Sequence, residues 1–190
     1  MGTNISKAVT ATDVLNKAAS KIKSAKGLEV AFNISGGGNN LSGELMAAGG
    51  KFHIKAGGNE TWYNGSDMYT YSGTSKETTV VKPSQSELSE VNPLVFINSY
   101  GAYFSPVFSN NKQNGKYIVD LKPKSRKAPV KKVTIFMNSQ TFTPEKFIVT
   151  SHDGRVSTIT VKKFSIASIP SSTFDYPKQR FSKIPLVDLR

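Results

Sequence analysis

Two imidazoles, His53 and His152, and no cysteine in 190 residues leave this chain little scope for side-chain chemistry. An imidazole could act as a general base or bind a metal. His53 lies between Phe52 and Ile54 in an alternating run, and His152 lies in a turn beside Asp153-Gly154. Neither has a second ligand at metal-binding spacing, so the residues read as a strand position and a solvated turn position. No Gly-x-Ser-x-Gly elbow, His-Glu-x-x-His helix or carboxylate pair in a recognisable catalytic motif is present, which disfavours a hydrolase or metalloenzyme. Without Cys there is no thiolate nucleophile, thiolate metal site or disulfide, a composition that fits a bacterial periplasm without requiring it.

Three other groups could bind a ligand. Gly36-Gly37-Gly38-Asn39-Asn40 has the composition of a phosphate cradle, but no Gly-Lys-Ser/Thr follows and no helix opens after it, so it reads as a hairpin tip. Lys122, Lys124, Arg126, Lys127, Lys131 and Lys132 surround Pro123 and Pro129 and suit phosphates or anionic head groups, or simply an exposed hairpin. Aromatic residues are not interleaved with them as in single-strand binders, and nucleic acid is not expected as a partner. Trp62, Tyr63, Tyr69 and Tyr71 are either ordinary core or the wall of an apolar site.

The elements that must position these groups follow from hydrophobic periodicity. Leu28, Val30, Phe32 and Ile34 alternate with Glu29, Ala31 and Asn33, which predicts a strand with one apolar face. The alternation returns at Phe52 and Ile54, Tyr69 and Tyr71, Tyr117 to Leu121, Val133 to Met137, and Phe147 and Val149. One large antiparallel sheet is the economical reading, and its apolar face must be covered, closed on itself, or filled by something else. Before it, Val14, Leu15, Ala18, Ala19, Ile22 and Ala25 recur at helical spacing from a cap at Thr12 to a stop at Gly27. Residues 93–108 are the most apolar segment, with a Pro93-led helical stretch and a cluster around Pro106. The tail from Phe164 to Arg190, with Pro170, Pro177 and Pro185, reads as edge strand and loop.

The length fits one domain with a substantial core, and no apolar run reaches membrane-spanning length. A formal charge of +12 points to an anionic partner, but the cations are almost all Lys, whereas base readout favours Arg. Met1-Gly2-Thr3 is not followed by an apolar signal core, as expected of a cytosolic protein or of a mature segment whose signal peptide is absent.

Taken in order, these pieces resemble the LolA family of periplasmic lipoprotein carriers. Trp62 to Tyr71 is similar to the family's aromatic hairpin, Asn92-Pro93-Leu94-Val95-Phe96-Ile97 to its Pro-led lid helix, and Tyr117 to Pro123 to the strand ending in Leu-x-Pro-Lys. Asp153-Gly154 and Phe174-Asp175-Tyr176-Pro177 resemble the late turn and the closing motif. The resemblance implies a mainly β fold with helices: an unclosed antiparallel barrel with an N-terminal helix, and short lid helices over its concave apolar face. It implies lipoprotein acyl chains as ligand, an inner-membrane lipoprotein-releasing transporter and an outer-membrane acceptor as partners, a periplasmic location, no cofactor and no catalysis. Val30, Phe32, Phe52, Ile54, Trp62, Tyr69, Tyr71, Phe147 and Val149 are the expected wall, with Leu94, Phe96, Phe104 and Phe108 as lid or mouth. The family's basic latch residue, in a Lys-Arg-Pro context, falls here on Ala47-Ala48-Gly49-Gly50, so that latch is missing. On the same architecture, a lipid-sensing regulator would act through a protein partner, and a small cavity-type enzyme would need a polar residue inside the hollow.

Overall fold

The computed structural model describes residues 7–190; Met1-Gly2-Thr3 lies outside the described residues. The first element is α1 (Ala11–Ser24). Its cap is Thr10, two residues before Thr12, because Thr10 and Asp13 bond reciprocally: Asp13 N donates to Thr10 Oγ1 at 3.1 Å, and Thr10 N donates to Asp13 Oδ2 at 3.0 Å. That backbone N–H holds the Asp13 carboxyl below its ordinary pKa. The face of α1 turned inward carries Ala11, Val14, Leu15, Ala18 and Ala19, and its small residues let the helix lie close to the sheet.

Six strands follow as a meander: β1 (Leu28–Gly36), β2 (Asn39–Ala48), β3 (Lys51–Ala56), β4 (Asn59–Tyr63), β5 (Met68–Ser72) and β6 (Glu77–Val81). Gly37-Gly38, Gly49-Gly50 and Gly57-Gly58 make the first three connections with both residues at positive φ, the backbone that two-residue hairpins demand. This is the use of the glycine cluster that had the composition of a phosphate cradle. Two short helices, α2 (Gln85–Val91) and α3 (Val95–Asn98), then lead through a 3-10 turn at Tyr100–Ala102 into β7 (Phe104–Phe108). The second half of the sheet is β8 (Lys116–Pro123), β9 (Lys132–Asn138), β10 (Pro144–Thr150) and β11 (Val156–Ile166), and the chain ends near β12 (Leu186–Asp188).

Among the described residues these strands form one 12-stranded sheet in the order β12-β6-β5-β4-β3-β2-β1-β11-β10-β9-β8-β7. Its end strands do not pair with each other, so the barrel is unclosed, as expected. The apolar stretch around Pro106 is not a continuation of the lid helices but the end strand β7, the place where a proline's missing N–H is harmless. The tail does supply an edge strand: β12 runs parallel to β6, pairing Val187 with Thr79.

Register decides what each face carries. Leu28, Ala47, Phe52, Tyr63 and Met68 form one cross-strand row, and Val30, Leu45 and Ile54 form the next. Both rows belong to the core cluster that includes α1 and the lid residues Leu94, Phe96 and Ile97. In the other half of the sheet, Val119, Ile135 and Phe147 make the matching row. Gly43 faces Phe32 across β1 and β2, and the ring fills the space of its absent side chain: a Cβ there would lie 2.4 Å from Phe32 Cζ.

Candidate functional site

The inner face of the open sheet is covered by helices, and they do not cover all of it. Between the β2–β3 hairpin, the end of α1 and the α2–α3 lid lies a cavity of about 420 Å³. Its sheet side is Leu28, Ala47, Phe52 and Tyr63; α1 supplies Ile22 and Lys23, and the lid supplies Leu88, Leu94, Val95 and Asn98. Ala48, Gly49 and Gly50 form the adjoining rim, where small residues leave the space open. Lys51, Gln85, Asn92 and Ser99 also line the cavity, so its lining is mixed: apolar side chains on the sheet side, and two cations, Lys23 and Lys51, and several neutral polar groups around them.

The lid is held by few bonds. Ser84 and Glu87 cap α2 reciprocally, with Ser84 N donating to Glu87 Oε2 at 2.7 Å, and this N–H keeps the Glu87 carboxyl below its ordinary pKa. Asn92 Oδ1 accepts from Leu94 N at 3.0 Å and fixes the turn between α2 and α3. Tyr100 donates its hydroxyl to Asn16 Oδ1 on α1 at 2.8 Å, and burial pushes the Tyr100 phenol up in pKa. Lys124, in the β8–β9 loop, donates its backbone N–H to Tyr103 O at 2.8 Å and its ammonium to Gly101 O at 2.6 Å. Asn98 is the unfinished contact: its Oδ1 is buried and receives no hydrogen bond.

The residues expected to form the wall, lid or mouth divide into four groups. Phe52 and Leu94 line the cavity itself. Val30, Phe32, Ile54, Phe104 and Phe147 on the sheet and Phe96 on the lid are buried in one apolar cluster with α1, and Val149 packs against it half-buried. Phe108 stands in line with Phe104 on β7 but is 42% exposed, with its ring stacked on Tyr117 at 6.0 Å. Trp62, Tyr69 and Tyr71 require a correction. They pair in the rows Met46–His53–Trp62–Tyr69 and Glu44–Lys55–Glu60–Tyr71, whose side chains project from the opposite, outer face.

There the C-terminal segment lies across the sheet as a strap. Tyr69 stacks on Tyr176 at 4.7 Å, Trp62 meets Tyr176 and Phe181 edge-on at 5.4 Å each, and Tyr71 packs on Phe181 at 4.9 Å. His53 stacks on Trp62 and shares a 2.8 Å hydrogen bond from Nε2 with Glu60 Oε1. Arg180, from the strap, donates to both oxygens of that buried carboxylate. Burial holds the His53 imidazole below its ordinary pKa. It pushes Glu60 the other way, but hydrogen bonds from Arg180 and His53 outweigh it and keep that carboxyl low. The neighbouring groove is larger, about 630 Å³, but it is wider open to solvent than the inner cavity and is bordered by five charged residues, Glu44, Lys55, Glu60, Lys162 and Arg180.

Leu28, Ala47, Tyr63, Leu88, Val95 and Asn98 line the cavity but are not among the residues expected to form its wall or lid, although Leu28 is on the apolar face of the first alternating run. Leu28 and Phe52 share a register row, which a correct strand alignment would have revealed; Leu88 is one apolar residue in a polar seven-residue helix and gives almost no signal.

The family described as outer membrane lipoprotein carrier protein LolA matches residues 1–154. The chain belongs to this family. The LolA match ends before β11 and the strap, so the Glu60–Arg180 clamp joins a matched strand to a segment outside it. Among solved structures, an uncharacterised conserved protein from Thermus thermophilus is 12% identical, with a TM-score of 0.62 over 94% of this chain and 98% of that one. A DUF1329 family protein from Desulfovibrio piger is 10% identical, with a TM-score of 0.52 over 89% of this chain and 98% of that one. These two likenesses show the fold. A LolA superfamily protein from Nitrosomonas europaea is 14% identical, with a TM-score of 0.48, covering 89% of this chain and 99% of that one. No curated protein sequence matches. Among the described residues of this LolA-family chain, no helix is long and apolar enough to cross a membrane, and no three His, Cys, Asp or Glu side chains cluster as a metal site.

Proposed function

We propose that this protein binds the acyl chains of lipoproteins in the space between sheet and lid and carries them through the periplasm from inner to outer membrane. In this reading an inner-membrane lipoprotein-releasing transporter loads it and an outer-membrane acceptor unloads it. It acts by binding, without catalysis or cofactor. The observation that carries the reading is the 420 Å³ cavity on the inner face of an open sheet, under a lid of two short helices, in a LolA-family chain.

The physical problem of such a carrier is acyl solvation. A chain of about 15 methylenes costs about 12 kcal/mol to expose to water at ~0.8 kcal/mol each, so membrane must be replaced by apolar wall. The cavity is within the roughly 300–1,000 Å³ typical of small-molecule sites, enough to admit the start of a chain. Further room comes from moving the lid. Helices of seven and four residues have little stability of their own, and withdrawing Leu88, Leu94 and Val95 would widen the space beside Leu28, Ala47, Phe52 and Tyr63. When no ligand is bound, those same lid residues fill the hollow, which keeps the apolar wall from water and lets cargo be released. Closure in this protein rests on Tyr100–Asn16 and Lys124–Gly101 in place of a latch projecting from residues 47–50.

The test is Ala47→Phe, which puts a ring into the cavity from the β2 end. A fluorescent 16-carbon acyl probe is expected to bind wild-type protein and to bind this variant at least tenfold more weakly, with the thermal midpoint retained. Equal binding by both would remove the cavity from the mechanism.

A further inference from the structure

The β8–β9 loop and the strand ends that flank it carry six cations in eleven residues, Lys122 to Lys132, with no carboxylate among them. The loop is rigid on its inner side. Ala128 and Val130 are buried in the core cluster, His152 Nε2 lies 2.7 Å from Ala128 O, Lys131 N donates to Thr150 O at 2.8 Å, and Ala128 N donates to Ser125 O at 3.2 Å. Its outer side is all charge: Lys122, Lys124, Arg126, Lys127, Lys131 and Lys132 are exposed. Of these six cations only Lys132 has an acidic partner among the described residues, Asp120 at 3.9 Å. Like charges held this close repel, and a chain selected for stability alone would intersperse acids among them.

The loop also touches the lid. Lys124 bonds the carbonyls of Gly101 and Tyr103, where the lid ends. Pro129 packs in a small hollow with Gln85, Val95 and Ser99, three residues that also line the acyl cavity.

We propose that this loop is a docking surface for the anionic head groups of a bilayer, which it meets with Lys122, Arg126, Lys127 and Lys131 while Lys124 connects the contact to the lid. The cations are Lys-rich point charges on a fixed platform, suited to a diffuse layer of head groups. The absence of interleaved aromatic side chains argues against a nucleic-acid strand. An anion at the loop competes with Gly101 O for the Lys124 ammonium, so docking loosens the end of the lid at the membrane, where acyl chains are exchanged. The inference goes beyond the carrier reading and can fail separately, because head-group binding needs no acyl capture.

The experiment is co-sedimentation of the full chain with vesicles of phosphatidylcholine containing about 30 mol% phosphatidylglycerol, at about 0.05 and 0.15 M salt. Wild-type protein is expected to bind these vesicles, more weakly at the higher salt, and not to bind pure phosphatidylcholine. Lys122→Ser, Arg126→Ser, Lys127→Ser and Lys131→Ser combined should weaken binding at least tenfold with an unchanged circular dichroism spectrum. The control with the same charge loss, Lys26→Ser, Lys112→Ser, Lys178→Ser and Lys183→Ser combined, should bind within about threefold of wild type. Equal loss in the two variants would assign the effect to net charge and overturn the proposal. So would wild-type binding by the loop variant, or tighter binding of wild type to a DNA duplex than to the vesicles. If acyl-probe binding fails while the loop-dependent vesicle binding stands, the carrier reading falls alone.

Discussion

Arg180 grips Glu60 with both guanidinium arms, Nη1 to Oε1 at 3.0 Å and Nη2 to Oε2 at 2.6 Å, across 120 positions of sequence. The carboxylate is buried and the guanidinium half-exposed, so the pair sits where the strap meets solvent. Its partners explain why a charge is tolerated there: His53 bonds Oε1 from inside and Lys55 stands 3.7 Å away at the edge.

Arg180→Ala should therefore leave a buried carboxylate short of its main partner. Discounted for the exposure of Arg180, the loss is about 1–2 kcal/mol, visible as a lower urea midpoint. Exposure of the strap should follow, with limited proteolysis cutting between residues 167 and 185 before the sheet is attacked. Unchanged stability and protease resistance would mean that the aromatic stack of Tyr176 and Phe181 holds the strap without the ion pair.

The same cluster makes stability depend on pH. His53 Nδ1 is buried with no partner, so a second proton on this ring would create an N–H without an acceptor. Its folded pKa lies below the ordinary 6.5, so below that pH the unfolded chain binds a proton that the folded chain refuses. Stability is thus full above about pH 6.5 and declines as pH falls below it. Glu60, also held low, loses its contribution only at more acid pH, below the ordinary 4.5. Thermal midpoints between about pH 7.5 and about pH 5 should fall for wild type and remain flatter for His53→Gln. Parallel curves would contradict this account of His53.

The Phe32–Gly43 contact predicts a destabilising Gly43→Ala. The added Cβ meets the Phe32 ring at 2.4 Å and Lys55 O at 2.9 Å, so the ring must leave its place and the adjoining backbone must shift. Overpacking of this kind costs about 1–3 kcal/mol. Phe32→Leu combined with Gly43→Ala should recover part of the loss, because it removes the ring atoms that clash. A urea titration of the two variants checks both statements.

Asn98 gives a prediction of opposite sign. Its buried Oδ1 has no donor, an arrangement that costs about 1–3 kcal/mol, and replacing the amide with an apolar group of similar volume removes it. Asn98→Leu should raise the thermal midpoint of the empty protein. A fall in the midpoint would show that the amide is satisfied in solution.

The elements of this fold were largely legible from the sequence, because period-two alternation and glycine turns are local signals. Leu28 to Ile34 reads as a strand on its own evidence, and Gly36-Gly37-Gly38-Asn39-Asn40 as a hairpin tip. Which face each aromatic residue occupies was not legible. Trp62 and Phe52 both look like wall residues, and only register across three strands, with the strap arriving from residues 167–190, sends one outward and the other inward. The cavity was hidden for a different reason. It exists because Ala47, Ala48, Gly49 and Gly50 are small, and an unfilled space leaves no mark in a hydrophobicity pattern. The end strand β7 was obscured by Pro106, whose tolerance depends on having no neighbour on one side.

Native mass spectrometry of the protein recovered from lipid-containing cells tests the central claim most directly, because it weighs what the hollow contains. Acylated species should be retained by wild-type protein and displaced from it by added fatty acid, and the Ala47→Phe variant should be recovered largely empty. Wild-type protein that is always recovered at its bare chain mass, and takes up no acyl chain when one is supplied, would contradict the account.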